Sequence, residues 1–199
     1  VAVANMLIAV MAPDLSEDAH PHAKALAEAF QLTNFIRDVR EDIEQYDRIY
    51  LPRATLEKYG VSEREVQETS FGPGMAASVL HELERTEDLY RTGVEGIRYL
   101  PEDVQFPVLL SAVLYAEHHR LIRRQGYDVL SERPELTTVD RARAFARTAL
   151  HWQITKDPEV TFERASAVPA QMKNQPSYSR NTVRPVIRSI TDGLMRWLP

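Results

Sequence analysis

Apolar residues recur every three or four positions along most of this chain, and that spacing predicts helix almost throughout. The clearest case is the segment over residues 75–99, where the interval is kept by Ala76, Val79, Leu83, Thr86, Tyr90, Val94 and Ile97. No stretch of any length alternates apolar and polar residues in the way a half-buried strand does. The sequence therefore predicts an all-α fold.

Glycine, proline and capping residues divide the chain into separate predicted helices. The main helices are expected over residues 23–45, 75–99, 104–125 and 138–152, the last with Thr138 as its cap. Shorter helical pieces are expected over residues 54–59 and 62–69, and residues 71–74 should form a clear break. Residues 46–52 are predicted to form a non-helical connector, because Pro52 disfavours helix at the residue before it.

The first of these predicted helices has a polar stripe along one face. Asn34, Asp38 and Asp42 stand four residues apart, so each is displaced only about 40° around the helix axis from the one before. Gln31 falls within the same stripe, and no apolar residue does. Carboxylate and amide oxygens suit Mg²⁺, a hard ion that often acts through substrate phosphates. Spacing alone is a weak signal, since most polar stripes are solvated faces and Asp14 and Asp18 share the interval.

The residues around the stripe are more specific than its spacing. Gln31, Asn34, Arg37 and Asp38, followed by the run Arg48-Ile49-Tyr50-Leu51-Pro52, closely resemble the second aspartate-rich motif of the phytoene and squalene synthase family. Residues 100–103, 112–115 and 126–133 resemble the later helices of that family, and residues 1–11 resemble the helix just before the motif. The resemblance covers about residues 1–155. Residues 156–199 are expected to form a basic, proline-containing tail that ends in an amphipathic helix.

Membership of this family would imply a fold and a reaction. The fold is a bundle of antiparallel helices around a central cavity. The reaction joins two prenyl diphosphates head to head with Mg²⁺ or Mn²⁺, and the favoured version makes phytoene from two molecules of geranylgeranyl diphosphate through prephytoene diphosphate. Squalene or dehydrosqualene synthesis from farnesyl diphosphate is the alternative, and cavity depth separates the two.

The resemblance also assigns roles to individual residues. The metal ligands would be Asn34, Asp38 and Asp42, and the diphosphate would be bound by Gln31, Arg37, Arg48 and Arg133. The catalytic residues near the reacting carbons would be Tyr50, Tyr115 and Arg48. Two other interpretations stay open: an ion pair between Arg37 and Glu41 at i+4, and ordinary core packing for the two tyrosines.

One departure from the family pattern concerns an aspartate-rich motif that family members have on an earlier helix. This chain begins after the point where that helix should end. We therefore expect the chain to be the C-terminal part of a longer enzyme, its bundle incomplete at the N-terminus. We also expect the 199 residues alone to be inactive. A non-catalytic homologue is the alternative from a different functional class.

Composition limits the partners and the compartment. A net charge of −5 argues against nucleic acid, and the lack of cysteine fits a cytoplasmic protein. The basic amphipathic terminus suggests peripheral contact with an anionic membrane, although docking on the bundle is the simpler interpretation. His118 and His119 are adjacent, so on a helix they diverge by about 100° and make a poor metal pair. We expect them to provide surface or interface polarity.

Overall fold

The structure, a computed structural model, describes residues 18–170. This part of the chain contains eight α-helices, one 3₁₀ turn and no strand, which confirms the all-α prediction. The elements are α1 Ala19–Arg37, α2 Val39–Tyr46, α3 Arg53–Lys58, α4 Glu63–Gln67, α5 Pro73–Glu95, the 3₁₀ turn Gly96–Tyr99, α6 Glu102–Arg124, α7 Thr138–Thr155 and α8 Pro158–Ala165. The helix predicted over residues 1–11 and the amphipathic helix predicted near the C-terminus lie outside the described residues.

The buried side chains form two clusters, and α1 contributes to both. Leu26 and Ala29 of α1 belong to a cluster with buried residues of α5, α6, α7 and α8. About two turns after Ala29, Ile36 of the same helix belongs to a second cluster. This cluster is built mainly from the region of α3 and α4 and from the first half of α5. Because it is anchored in both clusters, α1 holds its polar stripe in a fixed place.

Two glycines, one near the end of α5 and one at the start of the 3₁₀ turn that follows it, let α1 and α5 approach each other closely. A Cβ atom at Gly93 would lie 2.7 Å from the backbone nitrogen and Cα of Leu26, and a Cβ at Gly96 would overlap the side chain of His22. The contact at Gly93 could not be relieved by a side-chain movement, since the colliding atoms of Leu26 include its backbone, whereas the contact at Gly96 is with the Cβ and ring of His22. The absence of side chains at these positions therefore sets the distance between the two helices.

The single helix predicted over residues 23–45 is wrong at one point, because the structure divides it at Asp38 into α1 and α2. Asp38 has φ −99° and ψ 11°, outside the regular helical range. Its carboxylate is held by the neighbouring Arg37. Residues adjacent in sequence do not face each other on a regular helix, so this contact goes together with a local distortion of the backbone.

Two predicted helix starts are also corrected. Thr137, not Thr138, caps α7, and it forms a reciprocal capping box with Asp140 that satisfies two backbone N–H groups. Helix α5 begins at Pro73, inside the segment predicted to be a break, because proline is well suited to the first turn of a helix. At its other end α7 continues to Thr155, three residues past the predicted end at Trp152.

Candidate functional site

The polar stripe keeps its helical register through the break at Asp38. The backbone N–H of Asp38 donates to the carbonyl of Asn34 at 2.8 Å, and the N–H of Asp42 donates to the carbonyl of Asp38 at 2.8 Å. Asn34, Asp38 and Asp42 therefore lie on successive turns across the junction of α1 and α2. The predicted stacking of these three residues is present in the structure.

Two arginines hold the carboxylate of Asp38. Arg37 binds it with both arms of its guanidinium, from Nε to Oδ1 at 2.7 Å and from Nη2 to Oδ2 at 2.6 Å. Arg133, which lies on the segment between α6 and α7, donates from Nε to Oδ1 at 2.8 Å. A second carboxylate, Glu41, lies 3.3 Å from the same Nε of Arg133. The alternative interpretation of Arg37, an ion pair with Glu41, therefore has the wrong partner. Arg37 pairs with Asp38, and Glu41 lies against Arg133.

The two aspartates of the stripe have opposite electrostatic surroundings. Partial burial raises the pKa of Asp38, but the hydrogen bonds and charges of Arg37 and Arg133 outweigh it and leave this pKa below its usual value. The pKa of Asp42 is raised by partial burial and by the negative charges of Asp38 and Glu41. A cation placed at Asp42 would relieve that repulsion.

The oxygens of the stripe fit a divalent cation as a partial set of ligands. Asn34 Oδ1 is buried and has no hydrogen-bond partner among the described residues, so its lone pairs are not used by a donor there. Asp42 adds a carboxylate that faces like charges. Residues 18–170 contain no group of three or more His, Cys, Asp or Glu side chains arranged to hold a metal ion. Any ion here would need oxygens from a phosphate ligand and water as well, which is the usual situation for Mg²⁺.

Arg48 and Tyr50 lie at the exposed end of this region. Nη1 of Arg48 donates a hydrogen bond to the Tyr50 hydroxyl at 3.2 Å. The Tyr50 ring stacks on the ring of Phe35 with centroids 4.5 Å apart and planes 2° from parallel. Tyr50 is 38% exposed, so it is not an ordinary core residue. The Tyr50 side chain is therefore partly accessible from solvent.

Tyr115 and Gln31 are placed differently. The Tyr115 ring packs against Phe30, one residue before Gln31, with centroids 4.7 Å apart. The pKa of Arg37 is raised, mainly by its bond to Asp38, and the nearby Tyr115 contributes to that rise. Tyr115 is half-buried. It lies near the charged cluster formed by Arg37, Asp38 and Arg133. Gln31 is exposed at the start of the stripe, one turn before Asn34.

A buried polar network under the stripe was not predicted. Thr33 Oγ1 contacts the Tyr90 hydroxyl at 2.9 Å and His119 Nε2 at 3.1 Å. His119 Nδ1 lies 3.0 Å from Glu87 Oε1, and Arg123 donates to the same oxygen. All but Arg123 are buried. The network ties the turn of α1 that precedes Asn34 to α5 and α6.

His118 and His119 differ from the sequence-based expectation of surface or interface polarity. That expectation is wrong for His119, which is fully buried in the network just described. His118 is half-buried beside the charged cluster, and its Nδ1 donates to the Tyr115 carbonyl at 3.0 Å. Burial is the main cause that lowers the pKa of His118 to about 4, and the charge of Arg37 adds to it. His118 is therefore neutral near pH 7, with Nε2 unprotonated.

We expect NMR titration of His118 to give a pKa of about 4. An unfolded histidine titrates near 6.5, so the unfolded state binds more protons between pH 6.5 and pH 4. Stability should therefore fall as the pH is lowered through this window. His118→Leu should flatten that part of the stability profile measured by urea unfolding at several pH values. A titration of His118 near 6.5 would contradict the geometry.

Comparison with known proteins agrees with the family that the sequence resembles. Residues 1–162 match the squalene/phytoene synthase family. A phytoene synthase from Thermus thermophilus is 33% identical over 159 residues, which are 79% of this chain and 54% of that protein. A 15-cis-phytoene synthase from Synechococcus elongatus is 35% identical over 126 residues, covering 63% of this chain and 41% of the relative. A chloroplastic phytoene synthase 3 from Zea mays is 30% identical over 135 residues, with 68% and 32% covered.

With a match over residues 1–162, the chain belongs to the squalene/phytoene synthase family. It spans about half the length of the Thermus thermophilus relative, and less of the other two. None of the helices within residues 18–170 is both long and apolar enough to cross a membrane.

Proposed function

We propose that the protein to which this chain belongs is a phytoene synthase, a prenyltransferase that joins two molecules of geranylgeranyl diphosphate head to head. The observation that supports this most directly is the stacking of Asn34, Asp38 and Asp42 on successive turns, with Arg37 and Arg133 on the central carboxylate. The curated relatives cited above are named phytoene synthases. The stripe and its arginines favour a site for a metal-bound diphosphate, and the names of the relatives favour the reaction.

The residues of the stripe fit Mg²⁺ or Mn²⁺. Asn34, Asp38 and Asp42 would hold the cation, which when bound supplies positive charge against the departing diphosphate. Arg37, Arg48 and Arg133 would bind the phosphate oxygens, since a planar guanidinium matches two oxygens at once. Gln31, exposed at the start of the stripe, would add a neutral hydrogen bond.

Two aromatic pairs would act on the reacting hydrocarbon. Loss of diphosphate from an allylic carbon leaves a carbocation, which must be shielded from water. Tyr50 stacks on Phe35 and Tyr115 packs on Phe30, so both rings are held against residues that lie within one turn of Asn34 in sequence. An aromatic face attracts positive charge through its quadrupole. The bond from Arg48 to the Tyr50 hydroxyl would keep that ring in place.

We further propose that the protein is cytoplasmic. It would contact a membrane at its periphery, because the substrates are lipids. Squalene or dehydrosqualene synthesis from farnesyl diphosphate is the alternative reaction. It uses the same ionisation chemistry on shorter hydrocarbon chains, and the formation of squalene, unlike that of dehydrosqualene, would also need a hydride from NADPH.

The test is product analysis by liquid chromatography and mass spectrometry. The natural gene product that contains this chain and the 199-residue chain alone would each be incubated with geranylgeranyl or farnesyl diphosphate, with Mg²⁺ or with excess chelator. We expect a C40 hydrocarbon from the natural gene product with geranylgeranyl diphosphate and Mg²⁺ only, and no product from the 199-residue chain. A C30 product would favour the alternative, and a failure of the gene product on both substrates would contradict the proposal.

A further inference from the structure

We propose that Arg37 and Arg133 form a gate on Asp38, which closes it to a metal ion until a diphosphate draws the two guanidinium groups away. This inference rests on the proposed function, because it takes Asp38 as a metal ligand. It adds an order to the events at the site: anion binding makes the central carboxylate available. Metal and diphosphate would then bind cooperatively through these two side chains.

The closed state of the gate is visible in the hydrogen bonds of Asp38. Oδ1 accepts from Nε of both Arg37 and Arg133, at 2.7 and 2.8 Å, and Oδ2 accepts from Nη2 of Arg37 at 2.6 Å. Both carboxylate oxygens are therefore engaged by cations. A divalent ion that approached Asp38 in this state would meet two guanidinium charges at hydrogen-bond distance from its ligand atoms. Displacing charge-assisted bonds costs more than displacing neutral ones.

The other two residues of the stripe are not closed in this way. Asn34 Oδ1 has no hydrogen-bond partner in the described part of the chain. The neighbouring charges that act most strongly on Asp42 are the carboxylates of Asp38 and Glu41. The gate thus acts at the middle position of the stripe, between two positions at which no arginine is hydrogen-bonded to the side-chain oxygens in the described part of the chain.

Arg133 has carboxylate partners besides Asp38, so its guanidinium can leave Asp38 and still keep an ion pair. Besides Asp38 it faces Glu41 at 3.3 Å from Nε and Glu135 at 3.6 Å from Nη1, so it has carboxylates on both sides. A diphosphate carries several negative charges and presents pairs of oxygens that fit a guanidinium. It is a stronger partner for Arg37 and Arg133 than one carboxylate is. Because coupling is reciprocal, whatever diphosphate adds to metal affinity, metal adds to diphosphate affinity.

Mn²⁺ binding measured by electron paramagnetic resonance tests the gate directly, on the natural gene product that contains this chain. Without diphosphate, Arg133→Gln should tighten Mn²⁺ binding about tenfold, the effect of releasing roughly 1.4 kcal/mol of charged hydrogen bonding. Arg40→Gln is the matched control, because it makes the same change at an arginine close to the stripe in sequence that pairs with Glu44 and the Ser131 carbonyl and not with Asp38. It should change the affinity by less than about twofold, an exposed pair being weak.

The second arm adds inorganic diphosphate, with free Mn²⁺ corrected for the soluble metal–diphosphate complex. We expect wild-type affinity for Mn²⁺ to rise about tenfold or more, and that of Arg133→Gln to rise much less, because one half of its gate is already open. Arg133→Lys keeps the charge and loses the guanidinium geometry, so it separates simple repulsion from the specific bond. It should fall between wild type and Arg133→Gln.

Two contrary results have different meanings. If Arg133→Gln binds Mn²⁺ no better than Arg40→Gln does, the gate is wrong while the metal site stands. If Asp42→Asn binds Mn²⁺ as wild type does, both with and without diphosphate, the stripe is not a metal site and the proposed function fails with it.

Discussion

Asp42→Asn is expected to lower phytoene formation by roughly 10²–10³-fold, the usual cost of removing one group that stabilises charge in a transition state. The same change should leave the melting temperature unchanged or slightly higher. The pKa of Asp42 is raised by burial and by its carboxylate neighbours, so its negative charge is unfavourable in the folded state and its loss relieves repulsion. Activity and circular-dichroism melting curves of the natural gene product measure the two effects separately.

Asp47→Asn is the matched control for that experiment. Asp47 undergoes the same chemical change, is exposed, and has a left-handed backbone (φ 50°) that asparagine adopts as readily as aspartate. It should keep full activity. Asp38→Asn offers a contrast, because it removes the partner of Arg37 and Arg133 and should lower both activity and stability. Most of the wild-type turnover in Asp42→Asn would mean that the stripe is a solvated face without a metal.

The stripe could be predicted from the sequence because it depends on local spacing. Asn34, Asp38 and Asp42 are four residues apart, and any α-helix stacks such residues on one face. The same holds for the long helices, whose apolar interval is written in the sequence of α5 and α6. What joins the stripe to its surroundings could not be predicted in this way. Arg133 is 95 residues from Asp38, and helical periodicity says nothing about which distant side chain turns toward a carboxylate.

The break at Asp38 and the buried network show a second limit. An ion pair between neighbours such as Arg37 and Asp38 opposes the regular helix that spacing predicts, and only the tertiary structure decides between them. Glu87, for its part, stands next to the apolar stripe of α5 and would be assigned to a solvated edge on sequence alone. A buried glutamate needs partners from other helices, here His119 and Arg123. Its position beside Thr86 and Tyr90 is the one sequence signal of a polar cluster in the core.

Glu87→Leu is expected to destabilise the folded chain by about 3 kcal/mol, because it removes the shared acceptor of His119 and Arg123. His119 is fully buried and would keep an imidazole N–H with no partner, whereas Arg123 is partly exposed and can turn toward water. Urea unfolding followed by circular dichroism measures the loss. Glu95→Leu, which replaces an exposed glutamate at the end of the same helix, should cost less than about 1 kcal/mol.

The double variant Glu87→Leu/His119→Leu should recover part of the lost stability, since an apolar pair of similar shape leaves no buried imidazole unpaired. Recovery would show that the cost in Glu87→Leu arises from the unpaired imidazole and not from the loss of packing. The network also holds Thr33, the residue before Asn34, so both variants should weaken Mn²⁺ binding at the stripe even where stability is partly restored. If Glu87→Leu proves as stable as Glu95→Leu, the network contributes little and α1 is held by its apolar contacts alone.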